Sequence, residues 1–146
     1  MSGVVLALDV GTRRVGVAVS DDARRMALPV ETVDADDRDR IVEIIGDYDV
    51  AEIVVGWPLD MQGRERRAVD RVRDFVADLE NGIGEGSEIP IHRWDERLTT
   101  TAADRLLSDA DVTRRRRKEA VDQVAACQIL EGYLAHRRGG GHGEEL

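Results

Sequence analysis

The sequence predicts an α/β fold with a mixed five-stranded sheet and helices on both faces. Three consecutive segments near the start have the apolar content of strands and are separated by short turn signals, as in an antiparallel meander. Further along, strand segments alternate with segments of helical periodicity, and such strand–helix–strand units pair in parallel. The first strand is apolar at every position, which is typical of a central strand covered on both faces. These features together predict an α/β sandwich.

The first half of the chain contains the meander, one helix and one further strand. The meander strands are predicted at residues 4–8, 15–19 and 28–33. Ile41, Ile44, Ile45 and Tyr48 then recur at helical spacing after an acidic start, which predicts an amphipathic helix at residues 37–48. Residues 53–55 form a short buried strand that ends before Pro58, because proline gives no ladder hydrogen bond.

The second half supplies the remaining elements. An apolar stripe from Val69 to Leu79 predicts a second helix, and residues 89–94 predict the fifth strand. Residues 99–101 are threonines that can cap another helix, and a helix that is apolar nearly all round follows at residues 118–136. Residues 137–146 are polar and rich in glycine, which predicts a disordered tail after a domain of residues 1–136.

Length and composition restrict the class of protein. A chain of 146 residues can bury a single core without disulfides, and its one cysteine cannot form an internal disulfide. The first residues lack the basic lead and apolar run of a signal peptide, and no stretch reaches the ~20 apolar residues of a membrane span. We therefore expect a soluble cytoplasmic protein.

The charge distribution is compatible with binding to nucleic acid, although the net charge is negative. The net charge of −9 opposes binding to nucleic acid on average. All basic residues except Lys118 are arginine, however, and arginine binds phosphate with two parallel hydrogen bonds. The arginines are bunched at positions 13–14, 64–73 and 114–117.

Three carboxylates occupy positions where an acid is costly unless it is paired or bound to a metal. Asp9 closes an apolar strand, Glu96 follows the fifth strand, and Asp122 has Ala125, Ala126 and Ile129 as its helical neighbours. Converging acids repel one another, and a divalent cation would relieve that repulsion. Oxygen ligands without a histidine or cysteine cluster suit Mg²⁺ or Mn²⁺, and two such ions about 4 Å apart support phosphodiester hydrolysis.

The segment Asp9-Val10-Gly11-Thr12 also has a second interpretation. An Asp-x-Gly-Thr turn after a buried strand resembles the phosphate loop of actin-like ATPases and sugar kinases. Those proteins hold the nucleotide between two domains of this kind, whereas 146 residues supply one. This interpretation is therefore the weaker one.

Four blocks of the chain closely resemble the YqgF (RuvX) family between about residues 4 and 134. They are Leu-Asp-Val-Gly-Thr-Arg-Arg at 8–14, Val-Gly-Trp-Pro-Leu at 55–59, Trp-Asp-Glu-Arg-Leu-Thr-Thr at 94–100, and Arg-Lys with Val-Asp and Ala-Ala at 117–126. The resemblance implies an RNase H-like fold similar to that of the RuvC Holliday junction resolvases. It also implies that Asp9, Glu96 and Asp122 are metal-binding catalytic acids.

The resemblance implies a metal-dependent hydrolase of phosphodiester bonds, an endonuclease that processes the 5′ end of pre-16S rRNA during ribosome biogenesis. Its cofactor would be Mg²⁺ or Mn²⁺ in a two-metal site bridged by Asp9, and cleavage would leave a 5′-phosphate. A resolvase of branched DNA is the alternative within the same chemistry, and it requires a symmetric dimer. A noncatalytic RNA-binding factor is the alternative from another class.

Several further residues have competing interpretations. The candidates for phosphate contacts flank the acids, and they are Arg13, Arg14, Arg97, Arg114, Arg115, Arg116, Arg117 and Lys118. Trp57 and Asp60 replace the usual leucine and asparagine of a family loop, so that Trp57 either stacks on a base or packs internally. Asp95 and Glu119 are candidates for a fourth acid, whereas we expect His92 and Cys127 to be structural.

Overall fold

The computed structural model describes residues 3–84, 88–96 and 114–145 of the chain. In these residues the strands are β1 (Val4–Val10), β2 (Arg14–Ser20), β3 (Ala27–Asp34), β4 (Val50–Trp57), β5 (Ile91–Asp95) and β6 (Glu144–Glu145). The helices are α1 (Arg38–Asp47), α2 (Arg67–Ile83) and α3 (Arg114–Arg138). The helix that the threonines at 99–101 are predicted to cap lies outside the described residues.

The sheet has the strand order β3-β2-β1-β4-β5-β6. The opening meander is antiparallel, whereas β1, β4 and β5 run parallel to one another. This arrangement confirms the predicted mixed sheet of five strands, to which β6 adds two residues at one edge. Because β1 and β4 are central, their apolar residues are covered on both faces.

Helices α1 and α2 cover one face of the sheet. In α1 the buried residues are Ile41, Ile44 and Ile45, and the Asp37 side chain caps the helix by accepting a hydrogen bond from the Arg40 amide. The predicted stripe of α2 is buried from Val69 to Leu79. Leu6, Leu8, Ile53 and Val55 fill the core beneath the two helices.

Among the described residues, helix α3 covers the opposite face. Its buried residues pack against Val5, Ala7, Ala18 and Val54 of the sheet. Cys127 is half-buried in this layer, and burial raises the pKa of its thiol to about 11. The helix begins at Arg114, four residues before the predicted start, because arginine is a strong helix former and the run contains no breaker.

The last ten residues differ from the predicted disordered tail in two respects. Helix α3 continues to Arg138, and after a turn Glu144–Glu145 pair with Arg93 and His92 on the edge of β5. The strand lies close to the helix because Gly143 has no side chain: an added Cβ would lie 2.5 Å from Nδ1 of His92 and 2.7 Å from the hydroxyl of Tyr133. Among the described residues, no helix combines the length and the apolar character needed to cross a bilayer.

Candidate active site

Two of the three predicted acids, Asp9 and Glu96, are brought together in the structure. Asp9 lies near the carboxyl end of β1, and Glu96 is the residue that follows β5. Both side chains are half-buried on the α3 face of the sheet, and their carboxyl groups share a hydrogen bond. A hydrogen bond between two carboxyl groups requires that one of them carries a proton.

A glycine in β4 explains how Glu96 reaches Asp9. Strand β4 lies between β1 and β5, which places the two outer strands about 10 Å apart. The Glu96 carboxyl group lies over Gly56, between the two strands. An added Cβ on Gly56 would overlap the Oε1 atom of Glu96 and lie 2.7 Å from Cδ1 of Ile129. Gly56 therefore leaves the space through which the two acids meet.

The third acid, Asp122, approaches from helix α3. Its backbone carbonyl group lies against Gly16 of β2, where an added Cβ would overlap the carbonyl oxygen. Gly16 is the register partner of Asp9, so the close approach of helix and sheet brings Asp122 to the side of Asp9. The Asp122 carboxylate accepts a hydrogen bond of 3.0 Å from Nε of Arg14, and about a quarter of its side chain is exposed.

Burial and mutual repulsion raise the pKa values of Asp9 and Glu96. Loss of hydration raises the pKa of Glu96 to about 8, and the neighbouring Asp9 charge acts in the same direction. Burial also raises the pKa of Asp9, and the nearby Asp122 charge raises it further. The guanidinium group of Arg71 acts in the opposite direction on the pKa of Glu96. Among the described residues, three carboxylates converge at the site, and the guanidinium groups of Arg14 and Arg71 act on them.

The donor chemistry of the site consists of carboxylate oxygens. Such donors are the preferred ligands of Mg²⁺ and Mn²⁺. In residues 3–84, 88–96 and 114–145, no group of three or more histidine, cysteine, aspartate or glutamate side chains is arranged to hold a metal ion. Asp9 and Glu96 instead hydrogen-bond to each other, and Asp122 pairs with Arg14.

The predicted phosphate contacts have different positions. Arg14 is half-buried and holds Asp122, whereas Arg13 is exposed beside Thr12 at a shallow cavity of about 390 Å³. Arg97 and the side chains of Arg114, Arg115, Arg116, Arg117 and Lys118 lie outside the described residues, although the backbone at 114–118 belongs to α3.

Trp57 is packed internally rather than exposed for stacking. It is 2% exposed, the guanidinium groups of Arg73 and Arg93 lie over its ring, and its indole nitrogen donates to Glu65. Asp60 organises the loop that follows, because it accepts hydrogen bonds from the Arg64 and Gln62 amides and from the Arg64 and Arg66 side chains. These bonds lower the pKa of the Asp60 carboxyl group.

His92, Asp95 and Glu119 were also named from the sequence. His92 is 8% exposed, with Nε2 at 3.4 Å from Glu52 and its ring stacked on Tyr133, so it is a packed strand histidine. Asp95 is the register partner of Trp57 in β5, and its charge acts on Glu96. The Glu119 side chain falls outside the described part of the chain.

Sequence reasoning missed Gly16, Gly56 and Arg71, and it named Arg14 as a candidate phosphate contact without its pairing with Asp122. Gly16 and Gly56 make room for Asp122 and Glu96, Arg14 holds Asp122, and Arg71 acts on Glu96. A glycine inside a strand often marks a close approach of another group, so the two glycines carried a signal. The contact between Arg14 and Asp122 gave no local signal in the sequence, because 108 positions separate the two residues.

Comparisons with known proteins agree on a family and a fold. The family model described as RuvX, Holliday junction resolvase, matches residues 3–136. A protein of Listeria monocytogenes named "Putative pre-16S rRNA nuclease" is 40% identical over 136 residues, which cover 89% of this chain and 96% of that protein. A protein of the same name from Moorella thermoacetica is 42% identical over 134 residues, with coverage of 89% and 93%.

Among solved structures, the fold is similar to that of Thermus thermophilus RuvC in complex with Holliday junction substrate. The TM-score is 0.59 at 13% identity, and the alignment covers 99% of both chains. This similarity confirms the predicted RNase H-like fold. The family match over residues 3–136 and the identity with curated relatives confirm the resemblance found in the sequence, and they show that the chain belongs to the RuvX (YqgF) family.

Proposed function

We propose that this protein is a metal-dependent endonuclease that cuts structured RNA at the 5′ region of precursor 16S rRNA, in the cytoplasm. The observation that carries the proposal is the meeting of Asp9 and Glu96 over Gly56, with Asp122 held beside them by Arg14. The names of the curated relatives support this substrate. The chain would act on nucleic acid as a monomer or a homodimer.

The carboxylate oxygens of Asp9, Glu96 and Asp122 fit Mg²⁺ or Mn²⁺ as ligands. The raised pKa values of Asp9 and Glu96 support this role, because a cation relieves the same repulsion that a shared proton relieves. When bound, divalent ions would supply an activated water and would stabilise the charge on the leaving oxygen.

The residues of the chain itself would position the acids and the substrate. Asp9 lies on a central strand and Asp122 on the long helix, so both acids are placed by regular secondary structure. Arg14 orients Asp122 through the 3.0 Å contact at Nε. Exposed Arg13, in the turn after Asp9, would contact the phosphate backbone of the substrate.

Cleavage of branched DNA is the second candidate function. The family model that matches this chain is described as a Holliday junction resolvase, and the similar RuvC structure is a complex with a Holliday junction substrate. Both descriptions favour a four-way DNA junction as the alternative substrate. A resolvase needs two active sites in a symmetric dimer.

Cleavage of two labelled substrates, with Mg²⁺ or Mn²⁺, distinguishes these functions. The substrates are a precursor-16S 5′ leader and a DNA four-way junction. We expect cleavage of the leader alone. Paired symmetric nicks in the junction alone would contradict the RNA assignment and support a resolvase. Metal-independent binding of the leader without cleavage would instead indicate a noncatalytic RNA-binding factor.

Gly56→Ala should reduce cleavage while the protein remains folded. The new methyl group would displace the flexible Glu96 side chain from its path over β4, and a displacement of about 1 Å can cost about a hundredfold in rate. The measurement is single-turnover cleavage together with thermal unfolding.

Gly46→Ala is the matched control, because an added Cβ at Gly46 in α1 meets nothing within 4 Å. A cleavage rate of Gly56→Ala equal to that of Gly46→Ala would show that the path of Glu96 over Gly56 does not matter for activity.

A further inference from the structure

A cavity of about 400 Å³ lies along the edge of β5, next to the acid site. Among the described residues, strand β6 pairs with this edge at His92 and Arg93, and Trp94 and Asp95 line the cavity further along the edge. Its volume is within the range of about 300–1,000 Å³ that small-molecule sites occupy. It has room for one nucleotide and is far too small for a double helix.

The lining of the cavity contains most of the aromatic residues of the chain. The protein has two tryptophans, two tyrosines and one phenylalanine, and three of these five line the cavity. Two of its three histidines do so as well. Of the planar groups in the lining, Trp57 and Tyr133 are buried in the wall, whereas Trp94 is half-buried and His136 and His142 are exposed. Such a concentration in a chain that is 3% aromatic favours a planar ligand.

Contacts within the protein orient the indole ring of Trp94 without a ligand. Gly132 of α3 lets the indole ring lie against the helix, since an added Cβ there would lie 3.0 Å from Cζ2. Tyr133 meets the ring edge-on at 6.3 Å between centroids, and His136 lies at 5.6 Å with a tilt of 59°. A ring that is already oriented loses little entropy when a base stacks on it.

The cavity lies at the distance of one nucleotide from the acids. Trp94 is the register partner of Gly56, and the Glu96 carboxyl group lies over the same glycine. Trp94 and Glu96 are thus two residues apart on one face, or about 7 Å along the chain. A phosphate held at Glu96 would place the adjoining base within reach of Trp94.

We propose that this cavity, between Trp94, His136 and His142, binds a single unpaired nucleobase next to the phosphate that is cleaved. This inference rests on the proposed nuclease function and specifies its substrate: a strand that is unpaired at the nucleotide beside the cut. Stacking tolerates any base, so the site selects unpaired structure more than sequence.

Intrinsic fluorescence tests the inference without cleavage, because both tryptophans of the protein line the cavity. With EDTA present, a short single-stranded RNA should quench the tryptophan emission, and the same RNA in a duplex should quench it much less. Equal quenching by both RNAs, or quenching by neither, would overturn the proposal.

Variants test the same inference through the affinity of a labelled single strand, measured by anisotropy in EDTA. Trp94→Ala should weaken binding about tenfold or more, and Trp94→Phe should restore most of the affinity. His136→Ala, at an exposed position, should weaken binding with an unchanged melting temperature. Tyr48→Ala is the matched control, since Tyr48 is an exposed aromatic residue at the end of α1, away from the cavity.

The outcomes separate this inference from the proposed function. If single strands bind through Trp94 and His136 but the leader is not cleaved, the nuclease assignment fails and the base site stands. If the leader is cleaved and these variants bind like Tyr48→Ala, the base site is overturned and the nuclease assignment stands.

Discussion

Asp9→Asn should abolish cleavage and leave the fold intact. The substitution keeps the shape of the side chain but removes the charge that Asp9 would provide to a divalent cation, so we expect the rate to fall by about a thousandfold or more. In EDTA the variant should melt at the wild-type temperature or above it. Its amide no longer repels the Glu96 and Asp122 charges, and it can donate a hydrogen bond to Glu96.

Loss of activity together with unchanged or higher thermal stability identifies a functional acid rather than a structural one. The matched control is Asp74→Asn, because Asp74 is an exposed acid on α2. A folded Asp9→Asn protein that cleaves like Asp74→Asn would refute the assignment of Asp9.

Gly16→Ala should cause the largest loss of stability among the single substitutions considered. The new Cβ would overlap the Asp122 carbonyl oxygen and lie 2.5 Å from its carbonyl carbon, and these are backbone atoms of a packed helix that cannot rotate away. We expect the free energy of unfolding to fall by about 3 kcal/mol. In a chain of this size, that loss corresponds to a melting temperature lower by roughly 6–12 °C.

Gly46→Ala again provides the comparison, because it adds the same methyl group in open space and should leave the protein as stable as the wild type or slightly more so. A Gly16→Ala protein as stable as this control would mean that α3 does not pack against β2 as closely as the structure indicates. Displacement of α3 would also move Asp122, so cleavage by Gly16→Ala should fall with stability.

Much of the fold could be predicted because local patterns and tertiary packing agree. The unbroken apolar run at residues 4–8 indicates a strand covered on both faces, and β1 is central in the sheet. The stripe from Val69 to Leu79 indicates the buried face of α2. The acid positions could be anticipated for the same reason, since Asp9 and Asp122 stand in apolar surroundings where a carboxylate needs a partner.

The features that could not be predicted from the sequence depend on contacts between distant segments. The β6 pairing with His92 and Arg93 joins a glycine-rich tail to an edge that lies about fifty residues earlier, and composition alone predicts disorder there. The pairing of Arg14 with Asp122 bridges 108 positions, so no local pattern indicates that Arg14, a predicted phosphate contact, pairs with an acid. Burial of Trp57 likewise depends on Arg73 and Arg93 from two other elements.

Direct binding of Mn²⁺ tests most directly whether the three acids form a divalent-cation site, because it does not depend on the choice of substrate. Free Mn²⁺ can be followed by electron paramagnetic resonance as wild-type protein, Asp9→Asn or Asp74→Asn is added. We expect the wild type and Asp74→Asn to bind Mn²⁺ equally, and Asp9→Asn to bind at least about tenfold more weakly. Equal binding by all three proteins, or binding by none, would contradict the assignment of these acids as metal ligands.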